Sequence, residues 1–556
     1  MSFESKAHIR IIQVTDIYTL ANFPSLKTLI EEKKAEVEKD GGKTISMLTG
    51  DFLAPYLLSS FDKGAGMMSM LNKTPIDYVI WGNHEHDLSH EHVMKREKEY
   101  KGVWINSNMQ SHESFADSTC QVDAATVEVL SPDGSNTRKL GMIGVLSSSP
   151  SLYKPGAFGG AVIEDPWECL EKYNKKLKDE GCDMVLPLCH LYEFQDEKTC
   201  MEFDFPVILS GHDHHKVDRI VSGTRLLKPG MDGHYAVVLD LVWDSAESDS
   251  TPTVEAITIP VADFEPDPAL KVELEKAYGV LKPLLKTELA TIPQSYSPLT
   301  SLGPRERRVT MATYLLTQLR HALNLDTENY PDHCDCVIVK GGNIRGERDY
   351  NTHRFSLEGL RSEMQEEEGI HIFLVPGRIL RGGLRESWTA PGPGWMQYDD
   401  GVEVDSNGFV VKIGGAPLDP RKNYRVGSFI DFNTDYGTPT IHQYFEEHKE
   451  GLPDPDAGIG CHVLLLKLFS KDIWNKLWLA LDADGDGTIS SEELKLLDID
   501  GDGMLSKVEL KQAIERIVGL STFEGQDALV DMVMAAAGDV NDDAKLTVEE
   551  INAAQE

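Results

Sequence analysis

Residues 78–85 of this 556-residue chain are Tyr-Val-Ile-Trp-Gly-Asn-His-Glu, an apolar run that passes directly into polar, metal-ligating side chains. Other apolar runs in the first 260 residues also predict buried strands, at 9–14, 45–48, 139–145, 184–188 and 207–210. Several of these runs end in Asp, Asn, His and Gly. Because ligands gather at the carboxyl ends of strands in α/β sheets, the sequence predicts a functional site at that edge.

Polar clusters follow the predicted strands in a fixed order. They are Asp16-Ile17-Tyr18, Gly50-Asp51, Gly82-Asn83-His84-Glu85, the single His190, and Gly211-His212-Asp213-His214. Each cluster alone is a weak signal, since a histidine near a strand end is often structural. The joint order of all five is much harder to obtain by chance.

This order resembles the calcineurin-like metallophosphoesterase superfamily, in particular its 5′-nucleotidase branch. The family pattern is Asp-x-His, Gly-Asp, Gly-Asn-His-Glu, a single His, and Gly-His-x-His. In such sites one carboxylate lies between two dications about 3.5–4 Å apart, and an attacking hydroxide is shared between them. The resemblance implies two transition metal ions, divalent or trivalent, with Mn, Zn, Fe and Co as the candidates.

The resemblance also assigns roles residue by residue. Asp51 would bridge the two ions. Asp16 and His214 would bind the first ion, and the second would be bound by Asn83, His190 and His212. His84 would be the catalytic histidine, stabilising the phosphoryl group or protonating the leaving oxygen, with Asp87 orienting its ring.

One position departs from the family pattern. Tyr18 stands where the family has the histidine of Asp-x-His, so one imidazole of the first site is missing. Tyr18 either coordinates as a tyrosinate, which favours a trivalent iron, or is not a ligand and leaves a weaker first site.

Breaker-rich segments divide the chain. The predicted regions are a catalytic domain at 1–265, a linker helix within 266–300, a substrate domain at 301–460 and a calcium-binding domain at 461–556. The expected fold class is α/β, with a metallophosphoesterase β-sandwich flanked by helices, a 5′-nucleotidase-like C-terminal α/β domain and an all-α EF-hand domain.

Residues from about 301 to 442 resemble the 5′-nucleotidase C-terminal domain. The likeness depends on Lys340-Gly-Gly-Asn-Ile-Arg345 and on the segment 414–426. It implies that Arg308 and Arg345 contact substrate, and the alternative is that the Gly-Gly turn is simply a tight loop. Phe429 has the spacing of the family's second base-stacking aromatic, with Asp435 as a nearby carboxylate.

The first base-stacking aromatic of the family is absent, because Gly377 lies within Val375-Pro-Gly-Arg378 at that position. Arg378, Arg381 and Arg385 add basic groups there. A more anionic substrate, such as a sugar phosphate or a phosphoglycerate conjugate, is therefore an alternative to a nucleotide.

Two twelve-residue segments, 482–493 and 498–509, fit the EF-hand calcium loop at every diagnostic position. Acidic residues occupy positions 1, 3, 5 and 12, glycine occupies position 6, and position 7 offers its carbonyl. The predicted ligands are Asp482, Asp484, Asp486, Thr488 and Glu493 in the first loop, and Asp498, Asp500, Asp502, Met504 and Glu509 in the second.

A third segment, 539–550, keeps only part of the pattern. Its predicted ligands are Asp539, Asn541, Asp543, Lys545 (through its carbonyl) and Glu550. Ala544 replaces the glycine at position 6 and strains the turn, so calcium binding there is left open. The loop spacing predicts that the second and third loops pair, with the first attached through a short helix at 492–497.

Composition sets the remaining limits. The chain has 54 Lys and Arg against 91 Asp and Glu, a net charge of −37, which argues against binding nucleic-acid polymers or anionic membranes. Residues 470–556 hold 20 acidic and 7 basic side chains, so about a third of the net charge lies around the calcium loops. The eight cysteines suggest reduced, buried thiols, and with no apolar leader at the N-terminus the expected location is cytoplasmic.

The sequence therefore predicts a metal-dependent hydrolase of small phosphate monoesters, with 5′-nucleotides as the first class to test. Sugar-phosphate or phosphoglycerate-conjugate hydrolysis and cyclic-nucleotide hydrolysis are the enzymatic alternatives. A further alternative is a calcium sensor or buffer built on an inactive phosphatase scaffold. No protein partner of the EF-hand module is indicated.

Overall fold

A computed structural model describes residues 5–112, 120–153, 156–247, 250–325, 333–364, 369–435, 438–454, 458–520, 527–539 and 543–554. The chain forms two compact units, Met1–Tyr278 and Gly279–Glu556. The division falls within the predicted linker.

The first unit is a sandwich of two mixed β-sheets. The seven-stranded sheet has the order Thr253–Pro260, Tyr235–Trp243, Ala7–Val14, Lys43–Leu48, Tyr78–Ile80, Val103–Ile105 and Gln121–Val122. The six-stranded sheet has the order Lys216–Val221, Thr224–Pro229, Val207–Ser210, Met184–His190, Thr137–Leu146 and Ala125–Leu130. All six strands expected from the sequence are present, and the predicted sandwich is confirmed.

Apolar side chains from both sheets fill the layer between them. Ile11 and Met47 of the first sheet and Met142 and Leu186 of the second belong to one core cluster and are fully buried. Strands that are buried over most of their length, such as Met184–His190, appear in the sequence as continuous apolar runs rather than alternating ones.

Helices cover the outer faces of this sandwich. Those of the first unit are Phe23–Glu38, Leu57–Asp62, Ala65–Leu71, His90–Glu99, Ala157–Gly160, Pro166–Asp179, Glu193–Glu202 and Pro268–Ala277. Cys169, Leu170 and Tyr173 of the helix Pro166–Asp179 pack on the outer face of the six-stranded sheet.

The linker helix predicted within 266–300 is interrupted. The segment instead forms the helix Pro268–Ala277, a 3-10 turn Tyr278–Val280 and the short helix Leu281–Leu284. Gly279 lies at the interruption, and glycine weakens a helix.

The second unit contains a five-stranded sheet with the order Met396–Tyr398, Cys336–Lys340, Asn423–Ser428, Gly369–Pro376 and Ile459–Gly460. Smaller sheets join Val402–Val404 with Val410–Ile413 and Ala416–Pro417, and Glu288–Thr291 with Arg354–Ser356. Its helices are Leu281–Leu284, Thr310–Leu325, Leu357–Glu363, Gly377–Ser387, Pro439–Glu447, Cys461–Leu481, Ser491–Leu494, Lys507–Ala513, Asp527–Ala536 and Val548–Ala553, with a π-helical turn at Ile514–Val518.

The helix Cys461–Leu481 joins the calcium loops to the α/β part of the second unit. It packs against Thr310–Leu325 of the α/β part and against Asp527–Ala536 of the calcium-binding part. Leu465, Trp474 and Leu477 are buried along it. The apolar residues of this helix therefore belong to a core that the two parts share.

The predicted pairing of the second and third calcium loops is confirmed. Leu505–Ser506 and Lys545–Leu546 form a two-stranded antiparallel contact, with Leu505 opposite Leu546. The shared helix expected at 492–497 is shorter than predicted and spans only Ser491–Leu494.

The eight cysteines are free and buried, as the sequence suggested. Within the described ranges, no helix combines the length and the apolar character needed to cross a membrane.

Candidate functional site

The predicted metal ligands of the first unit meet at one edge of the sandwich. Asp51 follows the strand Lys43–Leu48, Asn83 follows Tyr78–Ile80, and His190 ends Met184–His190. These are the carboxyl ends of parallel strands, so polar groups from distant segments of the chain lie close together at this edge.

Asp51 lies at the centre of this cluster. Its Oδ2 atom is 3.0 Å from His190 Nε2 and 3.1 Å from the Tyr18 hydroxyl, while Oδ1 accepts a 2.8 Å hydrogen bond from the backbone N–H of His84. Asp51, His190 and His212 are buried and offer ligand atoms that all lie within 4.8 Å of one another. Their proximity suits coordination of one ion.

Asp16 and His214 form a second group beside the first. His214 Nε2 is 3.6 Å from Asp16 Oδ1 and 3.1 Å from the Tyr18 hydroxyl. Asp16 is fully buried, whereas His214 is exposed. Tyr18 therefore has its hydroxyl between the Asp51 carboxylate and the His214 imidazole, at the solvent side of the cluster.

The charge of the cluster favours a cation. Burial lowers the pKa of His190, but the Asp51 and Asp16 carboxylates outweigh it and raise that pKa to about 10. Buried carboxylates are costly unless a positive charge or a metal compensates them. Carboxylate, amide and imidazole donors together fit a borderline transition metal ion.

Four of the predicted ligands have left-handed backbone conformations. The φ angles are +51° for Asp16, +55° for Asp51, +86° for His212 and +58° for His214. Residues other than glycine adopt this region rarely and at an energetic cost, and such residues cluster at functional sites. The ligand loops are thus held in a strained form by contacts around them.

Glycine is required where the ligand loops come closest. A Cβ atom on Gly82 would overlap the Asp51 carboxylate, and one on Gly50 would overlap the His190 imidazole. The glycines of the Gly-Asp and Gly-Asn-His-Glu motifs therefore allow the ligand side chains to approach the neighbouring loop.

Glu85 joins two of the ligand loops. Its buried carboxylate accepts hydrogen bonds from the backbone N–H groups of Gly82 and Phe52, each at 2.7 Å, and of Leu53 and Asp51, each at 3.2 Å. Burial, together with the nearby charge of Asp51, raises the pKa of Glu85 to about 7. The motif contained Glu85, but only the structure indicates its positioning role.

Asp232 holds the loop that carries Asp16 and Tyr18. Its carboxylate accepts a hydrogen bond from Tyr18 N at 2.9 Å, and its own N–H donates to the Asp16 carbonyl at 2.8 Å. It too has a positive φ angle, +60°. No local sequence signal identifies this residue, because it lies more than 200 positions from the loop it supports.

Lys228 joins the two loops that carry the histidine ligands. Its ammonium group donates to the carbonyl oxygens of Leu191 and Gly211, each at 2.8 Å. It also contacts the carboxylates of Asp213 and Asp196, the latter at 2.7 Å, and is almost fully buried. Leu191 follows His190, and Gly211 and Asp213 flank His212, so one buried cation fixes both loops.

His84 and Asp87 are arranged as predicted from the sequence. The Nδ1 atom of His84 is 2.8 Å from the Asp87 carboxylate within the 3-10 turn His84–Asp87. A carboxylate at Nδ1 fixes the orientation of the ring and its tautomer.

The second unit presents part of the predicted substrate-binding set at its surface. The exposed Arg308 guanidinium lies 4.0 Å from the Tyr398 ring centroid and donates to Thr313 Oγ1 at 3.1 Å. Arg345 and Asp435 are also exposed.

Phe429 differs from the prediction, and two of the arginines pack on the ring of another phenylalanine. Phe429 is only 2% exposed, so its ring has no face open to a ligand. The predicted stacking of this ring on a nucleotide base is therefore wrong. Arg381 and Arg385 lie over the Phe409 ring, and Arg385 also donates to the Asn407 carbonyl. Both arginines thus have contacts within the second unit, and both are exposed.

The first two calcium loops have matching local structure. Glu493 Oε1 accepts from Ala483 N at 2.9 Å, and Glu509 Oε1 accepts from Ile499 N at 2.6 Å. In each loop three carboxylates of the predicted set come within 4.8 Å of one another. These groups are Asp482, Asp484 and Glu493 in the first loop and Asp498, Asp500 and Glu509 in the second. This oxygen-rich donor set fits a hard cation such as calcium.

The third loop shows the expected strain. Ala544 has a φ angle of +62°, which glycine would adopt freely. Asn541 lies outside the described residues. Glu550 still forms the capping contact with Thr547 seen at the equivalent position of the other loops, and Lys545 Nζ contacts Asp502 Oδ2 of the second loop at 2.9 Å.

Comparison with known proteins agrees with this architecture. Residues 9–216 match the family of calcineurin-like phosphoesterases, and residues 479–497 match the EF hand. The likeness to calcineurin-like phosphoesterases thus covers less than half of the chain, and the EF-hand likeness covers one short segment near its C-terminus.

Two curated relatives and one solved structure illustrate the range of similarity. A 5′-nucleotidase of Vibrio vulnificus is 26% identical over 200 residues, 35% of each chain. The uncharacterized metallophosphoesterase YunD of Bacillus subtilis is 23% identical over 248 residues, 44% of this chain and 52% of the relative. The chain therefore aligns with about a third to a half of these relatives.

The structure of Haemophilus influenzae NAD nucleotidase superimposes with a TM-score of 0.62 at 12% identity. The match covers 83% of this chain and 96% of that one. At this identity the likeness concerns the fold.

Replacing Lys228 tests its role in fixing the histidine loops. We expect Lys228→Met to weaken Mn²⁺ binding by about 10- to 100-fold, the usual cost of removing a group that orients metal ligands. Isothermal titration with Mn²⁺ measures this directly. Lys178→Met, on an exposed lysine, is the matched control, and Lys228→Arg should retain part of the affinity. Unchanged affinity in a folded Lys228→Met protein would contradict the assignment.

Proposed function

We propose that this protein is a dinuclear metal-dependent hydrolase of phosphate monoesters. The observation that supports this most directly is the buried Asp51 carboxylate, whose Oδ2 lies within 3.1 Å of both His190 Nε2 and the Tyr18 hydroxyl. The likeness to 5′-nucleotidases supports the same reaction class.

Two groups of side chains would hold the ions. Asn83, His190 and His212 would hold one ion, Asp16 and His214 would hold the other, and Asp51 would contribute to both. Ions bound there supply Lewis-acid polarisation of a phosphoryl oxygen and make water a better nucleophile.

Tyr18 takes the position of the family's missing histidine. Its hydroxyl is 3.1 Å from both Asp51 Oδ2 and His214 Nε2, so it already lies within the donor cluster. We infer that Tyr18 completes the first site through its hydroxyl oxygen and orients His214.

His84 would serve the leaving group. In hydrolysis a new bond forms from the water oxygen to phosphorus, the ester bond breaks, and the departing oxygen needs a proton. Asp87 holds Nδ1 of His84, so we assign proton transfer to the Nε2 edge of the ring.

The substrate is proposed to be a small phosphate monoester, with 5′-nucleotides as the first class to test. Exposed Arg308 and Arg345 suit an anionic or ribose-bearing ligand through their planar donors. The burial of Phe429 removes one expected contact with a nucleotide base. The substrates tested should therefore also include sugar phosphates.

We further propose that the first two EF-hand loops bind calcium. The carboxylate groups of both loops and the EF-hand match over the first one support this. Because the helix Cys461–Leu481 packs on both the calcium-binding part and the α/β part, calcium has a direct structural route to the α/β part of the second unit.

Removing the His84 ring should remove turnover without removing the metals. We expect His84→Ala to lower kcat for p-nitrophenyl phosphate and AMP by about 10²- to 10⁴-fold, the usual contribution of general acid catalysis. Metal content should stay at the wild-type level. His448→Ala, at a partly exposed histidine of the second unit, is the control. A wild-type protein inert with Mn²⁺, Zn²⁺, Fe²⁺ and Co²⁺ would refute the enzymatic proposal.

Calcium binding depends on the glutamates at position 12 of the loops. The double variant Glu493→Gln and Glu509→Gln should lose the calcium-binding heat of the first two loops, since each change removes a bidentate carboxylate. Glu492→Gln, an exposed neighbour, is the matched control. Turnover measured with and without calcium then tests regulation: a calcium effect that survives in the double variant would exclude these loops as its source.

A further inference from the structure

The first calcium loop contacts the helix that follows the third loop. Ile489 N donates to Asn552 Oδ1 at 2.7 Å, and Asn552 Nδ2 donates to the Ile489 carbonyl at 2.9 Å. Ile489 occupies position 8 of the first loop and is 1% exposed, and Asn552 lies on the helix Val548–Ala553, 63 residues away. One side-chain amide thus satisfies both backbone groups of a single residue.

Position 8 is the residue through which the second and third loops pair. There Leu505 lies opposite Leu546 in a two-stranded contact. A carboxamide carries one carbonyl acceptor and an N–H donor, the same groups that a partner strand would present. Asn552 therefore gives the first loop the hydrogen bonds that a pairing loop would supply.

The contact also fixes a predicted calcium ligand. Ile489 N–H and the Thr488 carbonyl belong to the same peptide unit, and in a trans peptide these two groups point in opposite directions. Holding the Ile489 N–H against Asn552 therefore directs the Thr488 carbonyl, at position 7, away from Asn552 and toward its own loop.

The third loop and its helix connect the other two. Leu546 pairs with the second loop, Lys545 contacts Asp502 of that loop, and Asn552 pairs with the first. The third loop, with Ala544 at position 6, and its helix thus contact both other loops, whether or not the third loop binds an ion itself.

We propose that Asn552 is the pairing partner of the first calcium loop, raising its affinity for calcium and joining all three loops into one calcium-responsive unit. This inference rests on the proposed binding of calcium by the first two loops. Asn552 acts as a positioning residue, since it holds the backbone beside a ligand and does not coordinate the ion.

Calorimetric titration of the full chain with calcium tests this. It uses two parent variants, in each of which only one of the first two loops keeps its glutamate at position 12. Glu509→Gln leaves the first loop intact, and Glu493→Gln leaves the second. Adding Asn552→Ala should weaken binding about tenfold in the Glu509→Gln background, as expected for one or two lost hydrogen bonds. In the Glu493→Gln background the change should stay within about twofold, because the hydrogen bonds of Asn552 go to Ile489 of the first loop.

Two further variants separate positioning from general loss of structure. Gln512→Ala removes an exposed amide from another helix of the same module and should leave both affinities unchanged. Asn552→Asp keeps the acceptor for the Ile489 N–H but loses the donor, so first-loop affinity should be intermediate.

Unchanged first-loop affinity in Asn552→Ala would overturn the proposal, as would an equal loss in both backgrounds. Absence of calcium binding in the Glu509→Gln parent would instead refute calcium binding by the first loop itself. The two failures are therefore distinguished by the parent titration.

Discussion

The buried carboxylate of Asp51 is the constraint around which the first unit is organised. It is fully buried and contacts groups from three other loops: Tyr18, the His84 backbone and His190. A charge in that position is stable only if cations or strong donors surround it. Three features follow from that requirement. Five chain segments converge at one edge of the sandwich, glycines allow their close approach, and the pKa of His190 is raised.

The strained ligand loops need supports of their own, and those supports are buried ionisable groups. Asp16, Asp51, His212 and His214 have positive φ angles, while Glu85, Asp232 and Lys228 bind the surrounding backbone. Strain of this kind persists only where neighbouring contacts over-determine the conformation. The calcium loops also contain turns with positive φ angles. Glycine adopts this conformation without strain in the first two loops, whereas Ala544 is strained in the third.

Local patterns predicted the strands and the metal-site motifs, because each depends on residues close in sequence. The spacing of the calcium loops predicted the pairing of the second and third loops. Gly279 was a signal in the sequence that the linker helix would be interrupted, yet the apolar periodicity around it suggested one helix. The roles of Lys228, Asp232 and Asn552 depend on partners 15 to more than 200 positions away, which no local pattern specifies. The burial of Phe429 likewise depends on tertiary packing.

We propose that Asp51 holds transition metal ions, and the metal content of Asp51→Asn is the measurement that tests this. Asparagine keeps the size of the side chain and removes its charge. Elemental analysis of the purified, Mn²⁺-reconstituted protein should give about two ions per chain for the wild type and less than one for the variant. Equal metal content in both proteins, with the fold intact, would contradict the account.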